Sequence, residues 1–343
     1  EASPPDSRSA SGAALAGHLL DDMLDILAIT GPIYLTIALG YILTRRGLFA
    51  RADMRVLGQF VINLALPALL FNALAQRKLA DILNGRYLLV YALGSLAAMG
   101  LGLLWARRGA RQDRTTSVFW AMGMSCPNSG FVGFPIALLV IGPVAGVMLG
   151  LNMIVENLLL IPLLLALAES SAGSGGRWHT VLRQSLLNLA RNPMVLGLLA
   201  GFVVSALQWQ MPSPLARTVT MFAQASAALS LFVIGGSLAG LHIAGLRQPV
   251  AQIAIGKLLV HPAAMLGALL LCEAMGMVPM DPKLRIGVVL TAASPMFGIY
   301  PILAQKHGHD GLAAAALLGT TAASFFTISA LLWVFQQVPG WGG

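Results

Sequence analysis

The apolar stretch from Ser117 to Gly142, SVFWAMGMSCPNSGFVGFPIALLVIG, is long enough to cross a bilayer. Its centre nevertheless carries Cys126-Pro127-Asn128-Ser129-Gly130, followed by Gly133 and Pro135. A helix in lipid must satisfy its own backbone N–H and C=O groups, and proline removes a donor and obstructs the preceding turn. The stretch is therefore expected to be a broken helix whose freed groups face protein, water or a ligand. A second stretch of this kind, Ile286 to His307, has Ser294-Pro295-Met296-Phe297-Gly298-Ile299-Tyr300-Pro301 at its centre. Two interrupted spans at corresponding positions of two halves are a sequence pointer to a transporter's binding site.

Composition puts the rest of the chain in the membrane as well. Of 343 residues, 57% are hydrophobic and 10% charged, against about 25% charged in soluble domains. Ten apolar spans of bilayer length are expected, over 24–44, 56–75, 87–106, 117–141, 144–168, 193–209, 216–241, 249–275, 284–305 and 311–336. The third reads as featureless. Residues 1–22 lack an apolar pattern and a signal-peptide layout, and are expected to be a disordered tail. Segment 169–192 is expected to be a linker, with SSAGSGG as its flexible part and an interfacial amphipathic helix over 178–190.

Five spans lie on each side of that linker. An odd number of crossings makes a second copy enter the membrane from the opposite side, so a repeat over 23–168 and 193–343 must be inverted. The breaks fall in the fourth span of each set, and Gly130 and Gly298 are 168 positions apart. The expected fold class is an all-α polytopic membrane protein of ten transmembrane helices in two inverted five-helix repeats.

The net charge of +8 reflects Lys and Arg gathered in short loops, with no basic, aromatic-interleaved patch, so no nucleic acid is expected. With the N-terminus outside, 13 of the 21 Lys and Arg fall in cytoplasmic loops and 7 outside, with Lys257 within a span. The cytoplasmic membrane of the cell, with both termini outside the cytoplasm, is the expected location. Cys126 and Cys272 lie within apolar spans without metal-ligand spacing, and no metal or cofactor is expected.

The candidate binding residues follow from the breaks. Pro127 ends one half-helix, and Asn128 and Ser129 can cap another that starts again at Gly130 or Phe131. Pro295 ends the second half-helix, Gly298 permits an unusual backbone angle, and Pro301 suits a first turn. Half-helix N-termini present free N–H groups and a positive dipole end, so the two breaks suit an anion without an arginine. Tyr300 is a candidate to orient the far end of a cargo, and Asn63 with Pro67 puts an amide and a kink in the second span. Intramembrane charges are functional candidates. Glu156, with Asn152 four residues earlier, is a candidate to carry a coupling proton, and Lys257, four residues before His261, to answer a substrate charge. Pairing with other buried groups is the structural alternative for both. Gly142, Gly146 and Gly150, and Gly236 and Gly240, recur at every fourth position, as in close helix packing.

Enzyme motifs are missing. Gly256-Lys257 has no upstream Walker glycine, and Gly123-Met124-Ser125-Cys126-Pro127 lacks the last glycine of a nucleophile elbow. An intramembrane hydrolase using Ser125 or Ser129 with His261, and a scaffold or receptor without transport, are the readings from other classes.

Several segments resemble the auxin efflux carrier family, whose bacterial members include proteins assigned as malonate permeases and which is related to the plant PIN-type exporters. The resemblance is carried by Pro127-Asn128-Ser129-Gly130-Phe131-Val132-Gly133-Phe134-Pro135, by Ala65-Leu66-Pro67-Ala68-Leu69-Leu70-Phe71, by Leu258 to Pro262 after Lys257, and by Pro301 through Thr321 to Ser324. It implies crossed broken helices as in sodium/proton antiporters and bile-acid symporters, a scaffold and a transport domain, and secondary active transport of a small mono- or dicarboxylate. The chain departs from the plant proteins in its short central segment, which argues against auxin itself and against plant-style phosphoregulation. Coupling to protons or a uniport cycle is favoured over sodium, because no acidic pair lies at the breaks; a proton- or sodium-coupled carrier of a cation on the same fold is the alternative. The expected partners are a small organic anion and the bilayer, with a homodimer left open.

The charge distribution makes the orientation testable. A reporter active only in the cytoplasm, fused after Gly343, is expected to be silent; strong activity there overturns the orientation.

Overall fold

The computed structural model describes residues 30–75, 84–171, 190–240, 246–305 and 307–338, together with Leu24, Leu27, Ala28, Arg183 and Leu187. The expected tail 1–22 and most of the linker with its interfacial helix lie outside the described residues. Every regular element among the described residues is a helix. In chain order these are α1 (30–45), α2 (Arg51–Ala75), α3 (Gly85–Gly109), α4 (Arg114–Ser125), α5 (Ser129–Ile141), α6 (Val144–Ser171), α7 (Pro193–Ala206), α8 (Ser213–Leu238), α9 (Arg247–Ala274), α10 (Pro282–Ala293), α11 (Tyr300–Gln305) and α12 (Asp310–Gln337). Six of them, α2, α3, α6, α8, α9 and α12, are long and apolar enough to cross a membrane, and α5 and α7 are shorter apolar helices. The protein is a polytopic, all-helical membrane protein.

Helix starts follow capping chemistry. Asn84, Asp113, Asn192 and Asp281 each accept backbone N–H groups of the first turn of α3, α4, α7 and α10, and Pro193 and Pro282 occupy the first positions of α7 and α10. Such caps satisfy donors that have no partner inside the helix.

Proline also leaves a signature inside the helices. Widened π-helical turns cover Val61–Ala65 in α2, Ser129–Gly133 in α5, Glu156–Leu160 in α6 and Gly256–Val260 in α9. Each of these ends two residues before a proline, Pro67, Pro135, Pro162 and Pro262, whereas a fifth such turn, Trp105–Gly109 at the end of α3, has no proline at that spacing. A proline ring crowds the carbonyl four residues earlier, and i→i+5 bonding relieves that crowding without ending the helix. Asn63, Glu156 and Lys257 all sit in these turns, in keeping with the recurrence of π-bulges at functional sites.

The helices form two groups that meet along α6, which touches both α2 and α3. α2 lies most extensively against α7 and α8, whereas α3 lies against α4 and α9. Glycines allow the first group to close. A Cβ on Gly235 would stand 1.8 Å from the carbonyl oxygen of Ile37, and one on Gly40 2.2 Å from that of Phe232, so α1 and α8 touch backbone to backbone. Gly197 and Gly201 of α7 meet the backbone of Pro67 and Phe71 in the same way. Of the glycines singled out by their spacing, Gly146, Gly150 and Gly236 do pack closely, whereas Gly142 has nothing within 4 Å and Gly240 meets only the Arg51 side chain, at 3.3 Å. Their φ angles of +71° and +80° end helices α5 and α8 in the left-handed region, which favours glycine for lack of a Cβ. Gly298 is a further correction: it is not among the positive-φ residues, so its expected special backbone angle is not used.

Overpacking a tight contact costs about 1–3 kcal/mol. Gly235→Ala is expected to lower the thermal unfolding temperature of detergent-purified protein, whereas Gly31→Ala, with nothing within 4 Å of the added carbon, is expected not to. Equal temperatures for the two variants would sink the backbone-contact reading of α1 and α8.

Candidate functional site

The two breaks satisfy each other. Pro127 and Met296 form an isolated antiparallel bridge. The N–H of Asn128 donates to the carbonyl of Pro295 at 2.8 Å, and that of Phe297 to the carbonyl of Cys126 at 3.2 Å. In unbroken helices these N–H groups would have returned to Met124 and Ala293. Pro127 and Pro295 cannot donate at all, so a two-bond exchange joins α4–α5 to α10–α11 where neither could remain helical.

The restart of α5 is built by Asn128. Its Oδ1 accepts the N–H of Phe131 at 3.1 Å, and its backbone carbonyl accepts Val132 and Gly133 at 3.2 and 2.8 Å. Asn128 is only 4% exposed, yet its Nδ2 has no hydrogen-bond partner among the described residues. A buried amide donor left open costs about 1–3 kcal/mol, and native structures retain such groups sparingly.

A cavity of about 390 Å³ lies at this point. It is lined by Pro127, Asn128, Ser129 and Gly130 of the first break, by Phe297, Gly298 and Ile299 of the second, by Glu156 and Asn157 of α6, and by residues of α2, α7 and α8. Glu156 is 6% exposed. Its Oε1 accepts the hydroxyl of Tyr91 at 2.5 Å and also that of Ser129, while no hydrogen bond from another described residue reaches Oε2. The cavity wall therefore holds a residue with an unpaired amide donor, the start of α5 and a carboxylate with one oxygen left open. A second cavity, about 560 Å³, is lined by Leu69 and Asn72 of α2, Phe134 and Leu138 of α5, and Thr220 and Gln224 of α8. Both share α2, α5 and α8. Along α8 their linings are centred roughly 20 Å apart at 1.5 Å per residue; the first lies at the break and the second further along α5, at Phe134 and Leu138.

A polar ladder supports Glu156. Tyr87 donates to Asn152 Oδ1 at 2.7 Å, four residues before the Tyr91 contact on each helix. Asn152 Nδ2 in turn donates to Thr291 Oγ1 of α10 at 3.3 Å. Sequence reasoning missed these tyrosines by reading the third span as featureless. Tyr87, Tyr91 and Ser95 recur at every fourth position, which places them on one face of α3; that spacing was the available signal.

Other candidates lie elsewhere. Lys257 is fully buried, its Nζ donating to the carbonyl of Ala292 at 2.5 Å and lying 3.0 Å from His261 Nδ1. Met296, which would have donated to Ala292 in a continuous helix, belongs to the break. Lys257 therefore caps the C-terminal end of α10, where the helix dipole is negative. His261 Nε2 is 3.4 Å from Ser95 Oγ. Pro295 contributes its carbonyl to the crossing and is not in the cavity wall. Tyr300 is fully buried with its hydroxyl on the carbonyl of Phe119 at 2.8 Å, outside the cavity lining. Asn63 is exposed and its amide returns to Gln59 O at 2.8 Å in the preceding turn, although Ile62 and Leu66 beside it line the cavity.

Comparison with known proteins points to membrane transport. The chain is 29% identical over 325 residues to a Rhizobium meliloti protein named "Putative malonate transporter", covering 92% of this chain and 97% of the relative. It is 23% identical over 307 residues to the uncharacterized transporter YfdV of Escherichia coli, covering 89% and 95%. An uncharacterized transporter of Methanothermobacter thermautotrophicus is 28% identical over 232 residues, covering 66% of this chain and 72% of the relative. The profile of the family described as membrane transport protein matches residues 27–334. The chain belongs to that family, the auxin efflux carriers that its sequence resembles, and is a membrane transporter rather than an enzyme.

Proposed function

We propose that the protein is a secondary active carrier of a small organic anion, a mono- or dicarboxylate of malonate size, bound where the two broken helices cross. The observation that carries this reading is the unpaired Nδ2 of buried Asn128, a residue of the cavity wall at the N-terminal end of α5. A carboxylate there would take the amide hydrogen and the free N–H groups of the first turn, aided by the positive end of the helix dipole. The relative named for malonate supports a short dicarboxylate as the first cargo to test.

The proposed frame is ten membrane helices in two inverted sets of five, with α4–α5 and α10–α11 each counted as one broken span. The expected repeats, 23–168 and 193–343 about the linker 169–192, form part of this proposal. Support comes from the breaks, which fall in the fourth member of each set, and from their mutual hydrogen bonding. One cavity at the crossing and a second further along α2, α5 and α8 support alternating access, with α2, α7 and α8 as the panel against which the crossing moves. The cytoplasmic membrane, with both termini outside, follows from the loop charges.

Glu156 bears on coupling. An ionised carboxylate in the cavity wall opposes an anionic cargo, so binding is favoured when Glu156 holds a proton or a cation lies beside it. We assign the proton to Glu156. Lys257, committed to the end of α10, contributes positive charge to the crossing without contacting the cargo. The open Oε2 also favours a second reading, a carrier of a cation. Cargo charge decides between them.

Uptake of labelled malonate and related carboxylates into proteoliposomes, with and without a pH gradient, is the direct test. A charge-assisted hydrogen bond contributes about 1.5–3 kcal/mol, so Asn128→Ala should weaken carboxylate binding about ten- to a hundredfold. Asn128→Asp keeps the capping oxygen but removes the donor and adds negative charge; it should fold and bind still more weakly. The neutral diamide of the cargo should compete poorly. If the diamide competes as well as the dicarboxylate, or Asn128→Ala binds normally, the anion site is wrong.

For coupling, Glu156→Gln should abolish accumulation driven by a pH gradient and retain exchange of labelled for unlabelled cargo. Accumulation that still follows the gradient would remove Glu156 from the mechanism.

A further inference from the structure

The far end of α3 carries a groove that cargo binding does not use. Leu101, Trp105 and Ile255 are 49%, 50% and 55% exposed. With Met124 and Val260 they line a groove of about 560 Å³ between α3 and α9, and Arg108 stands at its edge. That volume falls within the range of about 300–1,000 Å³ typical of ligand sites. A neighbouring pocket of about 490 Å³ is lined by Leu103, Leu104, Arg107 and Arg108. Glycines open the groove. A Cβ on Gly256 would meet Met124 Cγ at 2.5 Å, and one on Gly102 would meet Met124 Sδ at 3.1 Å, so Met124 packs between two residues without side chains.

The charge at this end is one-sided. Arg107, Arg108, Arg111 and Arg114 lie within eight residues, and none of their side chains has a hydrogen bond or ion pair to another described residue. The acid among them, Asp113, is turned to the N–H groups of Thr115 and Thr116 and to the Thr116 hydroxyl. Those bonds hold its carboxyl below the usual carboxylate range. A soluble anion has no use for the apolar trough, and a neutral lipid has no use for two open guanidiniums. A ligand that suits both has a phosphate at one end and a hydrocarbon chain at the other.

We propose that this groove binds an anionic phospholipid, its phosphate held by Arg107 and Arg108 and one acyl chain lying along Leu101, Ile255 and Val260. Guanidinium groups match phosphate oxygens in paired hydrogen bonds, basic pockets between membrane helices recognise lipid headgroups, and Trp105 suits the headgroup level. The lipid would brace α3 against α9, the helices that carry Tyr91 and Lys257.

The test uses the full chain in neutral phosphatidylcholine nanodiscs, titrated with phosphatidylglycerol and followed by native mass spectrometry. Wild type should retain phosphatidylglycerol at least tenfold better than phosphatidylcholine. Arg107→Gln with Arg108→Gln should erase that preference, whereas Arg46→Gln with Arg55→Gln, in another basic loop, should keep it within twofold. Phosphatidylglycerol with a photoreactive acyl chain should crosslink the wild type chiefly at Leu101 to Trp105 and Ile255 to Val260, which tests the groove even if the double variant does not fold. Equal retention of the two lipids, crosslinks spread evenly over the lipid-facing helices, or the same loss in the Arg46/Arg55 variant overturns the proposal. So does displacement of the lipid by millimolar glycerol 3-phosphate, which would make this a site for soluble phosphate.

Discussion

The structure depends on the need to satisfy backbone polar groups where water is scarce. Two apolar segments carry prolines that end their helices, and each leaves donors and acceptors without intrahelical partners. The chain resolves this by crossing the breaks. Asn128 N–H reaches Pro295, Phe297 N–H reaches Cys126, and Lys257 supplies the donor that Ala292 lost. What remains open after these exchanges is the beginning of α5 and the amide of Asn128. The candidate site is thus the part of the crossing that the protein does not satisfy by itself.

The surrounding helices fix that arrangement through spacing. Asn152 and Glu156 face Tyr87 and Tyr91 at the same four-residue interval, so two hydrogen bonds form as rungs between α6 and α3. Asn152 extends the ladder to α10, and Ser129 ties Glu156 to the start of α5. A shift of either helix by one residue would break every rung together. Glu156 opens the widened turn ahead of Pro162, and Lys257 lies in the corresponding turn ahead of Pro262. The prolines act at a distance: they relax the local helix and thereby help to set where the buried charges stand.

Much of this was legible in the sequence because Pro, Gly and capping residues act through their own backbone. The breaks at Pro127 and Pro295 and the restart after Asn128 need no knowledge of partners. Six spans could be read from apolar length in the same way. The remainder depends on contacts between distant segments. Tyr300 looked available beside a break, but Phe119, 181 positions away, takes its hydroxyl. Gly142 and Gly240 share a spacing with packed glycines yet end helices, a difference visible only in φ. Gly235 carried no signal because its contact, Ile37, lies on another helix. Tyr87 and Tyr91 were passed over because tyrosine in an apolar span reads as bulk until an acceptor stands opposite.

The breaks are related in position but unequal in chemistry, and this asymmetry bears on how a single anion would be held. α5 restarts with an asparagine cap and runs on to Ile141, giving a sustained dipole and a side-chain donor at its head. α11 is six residues long, Tyr300–Gln305, too short to offer a comparable field. The C-terminal ends of α4 and α10 also meet at the crossing; at that of α10, where exposed carbonyls would repel an anion, Lys257 sits on Ala292 O. On the proposed reading, the first break attracts the cargo while Lys257 neutralises the repulsive end of the second. Glu156 then supplies the remaining charge in the cavity wall. An anion can enter at low cost when that charge is cancelled, so one protonatable group beside one helix start is enough to link cargo to proton without a second acidic residue.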